Sequence, residues 1–457
     1  MDIIKNKNSI NMLEGTLIDK LIIFALPLAL TSILQQLFNV CDIIVCGRFV
    51  GSLALAAVGA NSQIINLFVN SFVGLSVGVN VLIANYIGAK KYEKVHNVIQ
   101  TSITFALGFG IFLFIVGSLL VRRFLVFLGT PNEIFEPAVL YLRIYFIGLP
   151  FFSVYNFGAA ILRSIGDTKR PLFILIISGI INTILNVILV VFFNLGVTGV
   201  AIATSFSNFV SCIVVIILLM REKGLIHYNI KEWYIVPDSL KKFLLIGVPS
   251  SVQGMVFSLS NLCVQSAINS LGANTIAANA AAVNFEIFPL YIFSSFGNAC
   301  GTFVSQNFGA LKFDRCIRVR RDCILLGALF SIILTFFLQV FAREIITLFT
   351  TDQDVIEISM VRIRIAGSFA WLQVIYDSTA ATLRSIKHPI LPSVMIIIGT
   401  VVFRVIWILI FFPTHKSYQT IALTYPLSWL IINIAMLIAY YFISKKTFVE
   451  KTRNQSV

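Results

Sequence analysis

Asp42 stands inside an apolar stretch of this 457-residue chain, where a carboxylate is costly unless it meets a partner or water. With Thr31, Gln35, Asn39 and Cys46 it forms a polar stripe at helical spacing, too polar to face lipid. Further along, Ser178, Asn182 and Asn186 repeat every four residues and so share one helix face. Thr204 opens a similar stripe with Ser207, Asn208 and Ser211. A carboxylate among amides and hydroxyls is oxygen-rich, which suits a hard monovalent cation such as Na+ or a proton. Small polar residues also act as interhelical hydrogen-bond glue in membranes, so the asparagines alone carry either reading.

The second half holds two further carboxylates in apolar stretches, Glu286 and Asp377, with Gln253, Ser260 and Asn261 upstream. Glu286 either binds a cation or substrate or pairs with an arginine. Asp377 lies near the end of its stretch, within reach of Arg384 or Lys387. Other chemistries lack their residues. No GxxxxGK[ST] phosphate loop and no HExxH occur, and the four histidines fall in or beside polar loops. The seven cysteines show no metal-ligand pairing, and no nucleophile stands beside a base. The chain reads as no enzyme and needs no cofactor; an ion gradient is the expected energy source. No metal is expected apart from Na+ at Asp42.

The elements that position these residues follow from composition. Hydrophobic residues make up 58% and charged ones 12%, far from soluble proportions, so lipid must be the solvent for much of the surface. Long continuous apolar runs exclude a transmembrane β-barrel. Runs near 21–45, 53–85, 97–121, 137–160, 172–193, 197–219, 243–269, 276–305, 323–342, 355–382, 390–412 and 420–443 predict twelve spanning helices. The fold class is therefore an all-α integral membrane protein. Residues 1–220 form an N-lobe, 221–242 a cytoplasmic linker, 243–443 a C-lobe and 444–457 a cytoplasmic tail.

The two halves are copies. Leu162-Arg163-Ser164-Ile165 returns as Leu383-Arg384-Ser385-Ile386, 221 positions later. At the same offset Gly51 matches Gly272, Gly88-Ala89 matches Gly309-Ala310, and Arg143 matches Arg364. A run of matches at one offset is a duplication. Six spans per copy give both halves the same orientation, the parallel-repeat arrangement of transporters. Loops on the side of the termini carry 25 Lys and Arg against five on the other, which places both termini in the cytoplasm. That distribution explains much of the net charge of +14 without nucleic acid.

Several motifs resemble one family. Leu26-Pro27, Gln35-Gln36-Leu37-Phe38-Asn39-Val40-Cys41-Asp42, Gly47-Arg48-Phe49-Val50-Gly51 and Leu55-Ala56-Ala57-Val58-Gly59 look like the opening of the multidrug and toxic compound extrusion (MATE) family. Arg163-Ser164-Ile165-Gly166-Asp167-Thr168-Lys169-Arg170-Pro171 and Gly199-Val200-Ala201-Ile202-Ala203-Thr204 fit the same pattern. The resemblance, covering about residues 14–443, implies an antiporter that exports lipophilic, often cationic compounds in exchange for H+ or Na+ by alternating access. It implies a cation-coupling site at Asp42, Asn182, Asn186 and Thr204. Asn186 stands where the family carries a second aspartate, and Phe38 replaces a tyrosine found in some members. A span 7 glutamate of some members is absent here. By the repeat, Cys263 is the counterpart of Asp42, and Arg404 that of Asn186.

The expected substrate cavity draws on Gln35, Asn39, Gln253, Glu286 and Asp377. The expected partners are small lipophilic or cationic molecules and membrane lipid. The expected location is the cell membrane, with the chain a monomer. The alternatives are a lipid-linked oligosaccharide flippase of the wider superfamily and a non-transporting sensor or assembly protein.

Overall fold

The computed structural model describes residues 9–347 and 350–453; Lys5, Lys7 and the end of the tail, which the charge count and the tail assignment include, lie outside them. In chain order the helices are α1 (Ile18–Phe49), α2 (Ser52–Gly88), α3 (Tyr92–Phe127), α4 (Asn132–Ile147), α5 (Leu149–Ser164), α6 (Lys169–Val187) and α7 (Gly196–Arg221). Then come α8 (Pro237–Asn269), α9 (Ala273–Gly309), α10 (Phe313–Val340), the short α11 (Ala342–Thr347), α12 (Gln353–Arg362) and α13 (Leu372–Ser385). The chain closes with α14 (Ile390–Ile396), α15 (Phe403–Ile410) and α16 (Tyr418–Arg453).

Among the described residues ten helical segments are long and apolar enough to cross a membrane, and the pair α4–α5, bent by 45°, makes an eleventh. The one remaining expected span, 355–382, the tenth in chain order, runs through α12 and α13. It is interrupted at Ile363–Gly367 and carries Arg362, Arg364 and Asp377, so it is neither continuous nor fully apolar. Leu119, Phe127, Phe192 and Leu409 stand well exposed, as lipid-facing side chains must. The chain is a multi-pass membrane protein.

Backbone geometry repeats with the sequence. Gly51 and Gly272, 221 positions apart, both take positive φ (115° and 98°) where α1 meets α2 and α8 meets α9. Only glycine adopts such values without steric cost. Lys90 and Leu311 share φ near 60°, and Gly166 (91°) is matched by Lys387 (74°), again at the same offset. Side chains with a Cβ rarely take this conformation, so inherited loop geometry has outlasted the residue types.

The chain forms two compact units. One contains Leu30–Ser251 with the residues up to Asn11, and the other Met12–Ala29 with Val252–Val457. These units differ from a simple cut at residues 220 and 243. The start of α1 belongs with the second unit, where Phe24 meets Phe303 of α9 edge-on at 5.5 Å. The start of α8 belongs with the first, where Gly78 of α2 lies so close that a Cβ there would be 2.2 Å from the Phe243 carbonyl oxygen. Both changeovers fall just past a helix-interior proline, Pro27 and Pro249. Proline removes one helical hydrogen bond and bends the helix there.

The linker between α7 and α8 is fastened to α3. His96 Nε2 lies 2.9 Å from Glu232 Oε2, Tyr234 donates to Asn97, and the Val236 amide donates to Thr101. Hydrogen bonds from His96 and then Asn229 hold the Glu232 carboxyl below the usual carboxylate range. The turn before α6 is closed by Arg170, which pairs with Asp167 and Glu222, while Asp167 also accepts from the Arg170 amide.

Candidate functional site

Among the described residues three π-helical turns end or interrupt helices, and each lies within two residues of a buried polar side chain. Ile188–Phe192 follows Asn186, Ile363–Gly367 follows Arg362, and Ile397–Val402 precedes Arg404. Such turns release regular hydrogen bonding and are frequent at functional sites.

In the first unit the expected cation-site residues come together. Asn186 Nδ2 donates to Asp42 Oδ1 and, at 3.2 Å, to Asn182 Oδ1. Thr204 Oγ1 lies 3.5 Å from Asp42 Oδ2 and donates to the Val200 carbonyl, while Asn182 Nδ2 lies 3.4 Å from Thr204 Oγ1. Asn186 is fully buried and its Oδ1 has no hydrogen-bond partner. A buried acceptor without a donor is costly, and here it lies beside a carboxylate held by neutral groups alone. That donor set, carboxylate, amide and hydroxyl oxygen, fits a hard monovalent cation or a proton.

Sequence reasoning missed two buried tyrosines that share a core cluster with Val45 and Cys46 of α1, one turn past Asp42. Tyr141 and Tyr145 of α4, stacked with ring centres 6.3 Å apart, lie within electrostatic reach of Asp42. Their four-residue spacing in a span was the available signal. The Phe38 ring packs against α6 at Gly179, where a Cβ would fall 1.9 Å from its edge. Gln35 is half-buried and Asn39 exposed on the same helix as Asp42, and no hydrogen bond joins either to the cluster.

The second unit is built differently. Glu286 of α9 is held by Arg362 of α12 through two parallel hydrogen bonds of 2.8 Å. Arg362 also donates to Asn279 Oδ1, which Tyr418 shares, and lies over the Tyr425 ring at 4.4 Å. Glu286 thus forms the arginine pair, and it also lines a small cavity with Phe285, Pro289 and Gln339. Asp377 is half-buried on α13 against Gly297 of α9; among the described residues it forms no ion pair, and Arg384 acts on it only from farther away. Gln253 is half-buried on α8 with its Oε1 unpartnered.

Among the described residues Arg404 is the largest fully buried side chain, 1% exposed. Its guanidinium lies over Tyr425 at 4.5 Å and Phe257 at 5.3 Å, and its Nε reaches Ser428 Oγ at 3.4 Å. Aromatic faces offset roughly 2 kcal/mol of a desolvated cation, against a burial cost of several kcal/mol per ion. Glu286 is the nearby acid, and Arg362 occupies it. The charge of Arg404 is therefore unbalanced.

The fold and the two unlike polar sites define a multi-pass helical membrane protein of two parallel repeats. The MatE family profile matches residues 27–188 and again 249–410, each match opening at or beside the proline where a helix changes unit. The chain belongs to the MatE family. The probable multidrug resistance protein YoeA of Bacillus subtilis is 29% identical over 383 residues, 82% of each chain. The multidrug export protein MepA of Staphylococcus aureus is 23% identical over 74% of each. Among solved structures, the outward-facing conformation of a multidrug resistance MATE family transporter of the MOP superfamily superposes with a TM-score of 0.90 at 21% identity, over 97% of this chain and 99% of that one. A MOP superfamily transporter from Pyrococcus furiosus gives 0.89 at 21%, over 95% and 98%.

Proposed function

We propose that this chain is a secondary active antiporter of the cell membrane. It exports lipophilic, often cationic compounds in exchange for H+ or Na+, with both termini in the cytoplasm. Family membership and the names of the relatives support drug export. The observation that carries ion coupling is the Asp42 carboxylate, embedded in a span and met only by neutral groups, Asn186 and Thr204. A proton or Na+ bound there competes with the Asn186 amide for the same oxygen. The site thus has two arrangements, and an ion drives a cycle only by favouring one of them. Asn182 braces Asn186, and Thr204 closes the other side of the carboxylate. With an amide at position 186, a single negative charge serves the site, and a monovalent ion suffices to neutralise it.

Uptake of a fluorescent cationic dye into everted vesicles, driven separately by imposed pH and Na+ gradients, tests the reading. Dye accumulation under one gradient and its collapse with the matching ionophore are expected. Accumulation indifferent to both gradients refutes ion-coupled export.

A further inference from the structure

We propose that Arg404 is an anion-binding residue of the second unit, taking the carboxylate of an amphiphilic aromatic ligand. The guanidinium has no acid to itself, since Glu286 is bound bidentately by Arg362. Among the described residues its Nη1 is buried without a hydrogen-bond partner, and its Nε reaches Ser428 Oγ. Two hydroxyls on the flanking helices are likewise buried and unpartnered. Thr424 Oγ1 lies one turn before Ser428 on α16, and Ser260 Oγ one turn after Phe257 on α8. Guanidinium and hydroxyl groups both donate, and their common complement is an anion. Phe257, whose ring lies beside the guanidinium, suits an apolar aromatic body attached to that anion.

The repeat gives an independent argument. At the offset of 221, the positions of Asp42 and Tyr141 are Cys263 and Arg362, and Arg404 stands for Asn186 after the three-residue deletion that separates Pro171 from Pro389. The acid of the first site is lost and two cations are gained, one of which Glu286 neutralises. The two sites therefore have opposite polarity: a cation belongs in the first and an anion in the second. The inference rests on the transport reading only for the fate of the ligand; binding itself needs no gradient.

Rhodamine 110, which bears a carboxylate, and rhodamine 123, its methyl ester, provide a matched pair of probes for the purified, detergent-solubilised protein. Arg404→Gln is expected to weaken rhodamine 110 by about tenfold or more, the effect of losing a charge-assisted hydrogen bond, and to move rhodamine 123 by less than about twofold. Benzoate should compete with rhodamine 110 on the unaltered protein where benzamide does not, a measurement that needs no variant to fold. Titration of chloride against the thermal midpoint separates the sources. If chloride alone raises the midpoint, the raise is lost in Arg404→Gln and the dyes are unaffected, the anion is inorganic and the amphiphile assignment is overturned. Equal loss of both dyes in Arg404→Gln, or failure of benzoate to compete, overturns a carboxylate site at Arg404. Specific binding of the carboxylate dye by a protein that shows no gradient-driven transport would refute the export reading and leave this one standing.

Discussion

Replacing Glu286 by Gln leaves the Arg362 guanidinium buried without its counter-charge. The Arg362 side chain is 5% accessible and that of Glu286 20%, so the arginine is the more expensive partner to strand. Orphaning one member of a buried pair costs about 3–5 kcal/mol. Asn279 and the Tyr425 face remain in place to hold part of the charge, which puts Glu286→Gln near the lower end, about 3 kcal/mol. Arg362→Gln strands the better-hydrated carboxylate and should cost less. In Glu286→Gln/Arg362→Gln neither charge is stranded, so the double variant should be more stable than the sum of the singles by at least about 1 kcal/mol. Denaturant titration of the purified protein, followed by tryptophan fluorescence, reads all four corners of the cycle. Transport of cationic and neutral dyes should fall together, in proportion to folded protein. A Glu286→Gln protein as stable as the original, with selective loss of cationic dyes, would show that Glu286 faces substrate and that the pairing argument is wrong.

Asp42→Asn, nearly isosteric, should abolish gradient-driven efflux with the protein folded; full ion-coupled efflux in that variant would refute the coupling assignment. Asn186→Asp should shift the ion or pH dependence of efflux without abolishing it, and an unchanged profile would count against Asn186 as part of the ion site. Gly179→Ala forces the Phe38 ring away from α6, with an expected destabilisation of about 1–3 kcal/mol and reduced efflux. Adding Phe38→Leu should recover much of both, and no recovery would place the effect elsewhere. A cysteine at exposed Lys90, in a background without reactive native cysteines, should resist an impermeant external thiol reagent in intact cells, whereas one at exposed Lys416 should react. The reverse pattern overturns the orientation.

The sequence by itself determined the solvent, the duplication and the cluster around Asp42. Each rests on local information: hydrophobic run length, matches at one offset, and polar residues spaced to share a helix face. Asn182 and Asn186 could be paired on paper because four residues make one turn, and Thr204 joined them through the family's pattern. Only the tertiary structure decided which groups meet across helices. Whether Glu286 was free or paired depended on the rotation of α12 against α9, and the π-helical turn after Arg362 resets rotation in a way no residue type announces. The same holds for Arg404, whose sequence position marked it as odd but not as buried without an acid. The changeover of α1 and α8 between units was hidden for a further reason. A proline marks where a helix can bend, but which core its first turns join is settled by side-chain packing such as Phe24 on Phe303, between residues far apart in the chain.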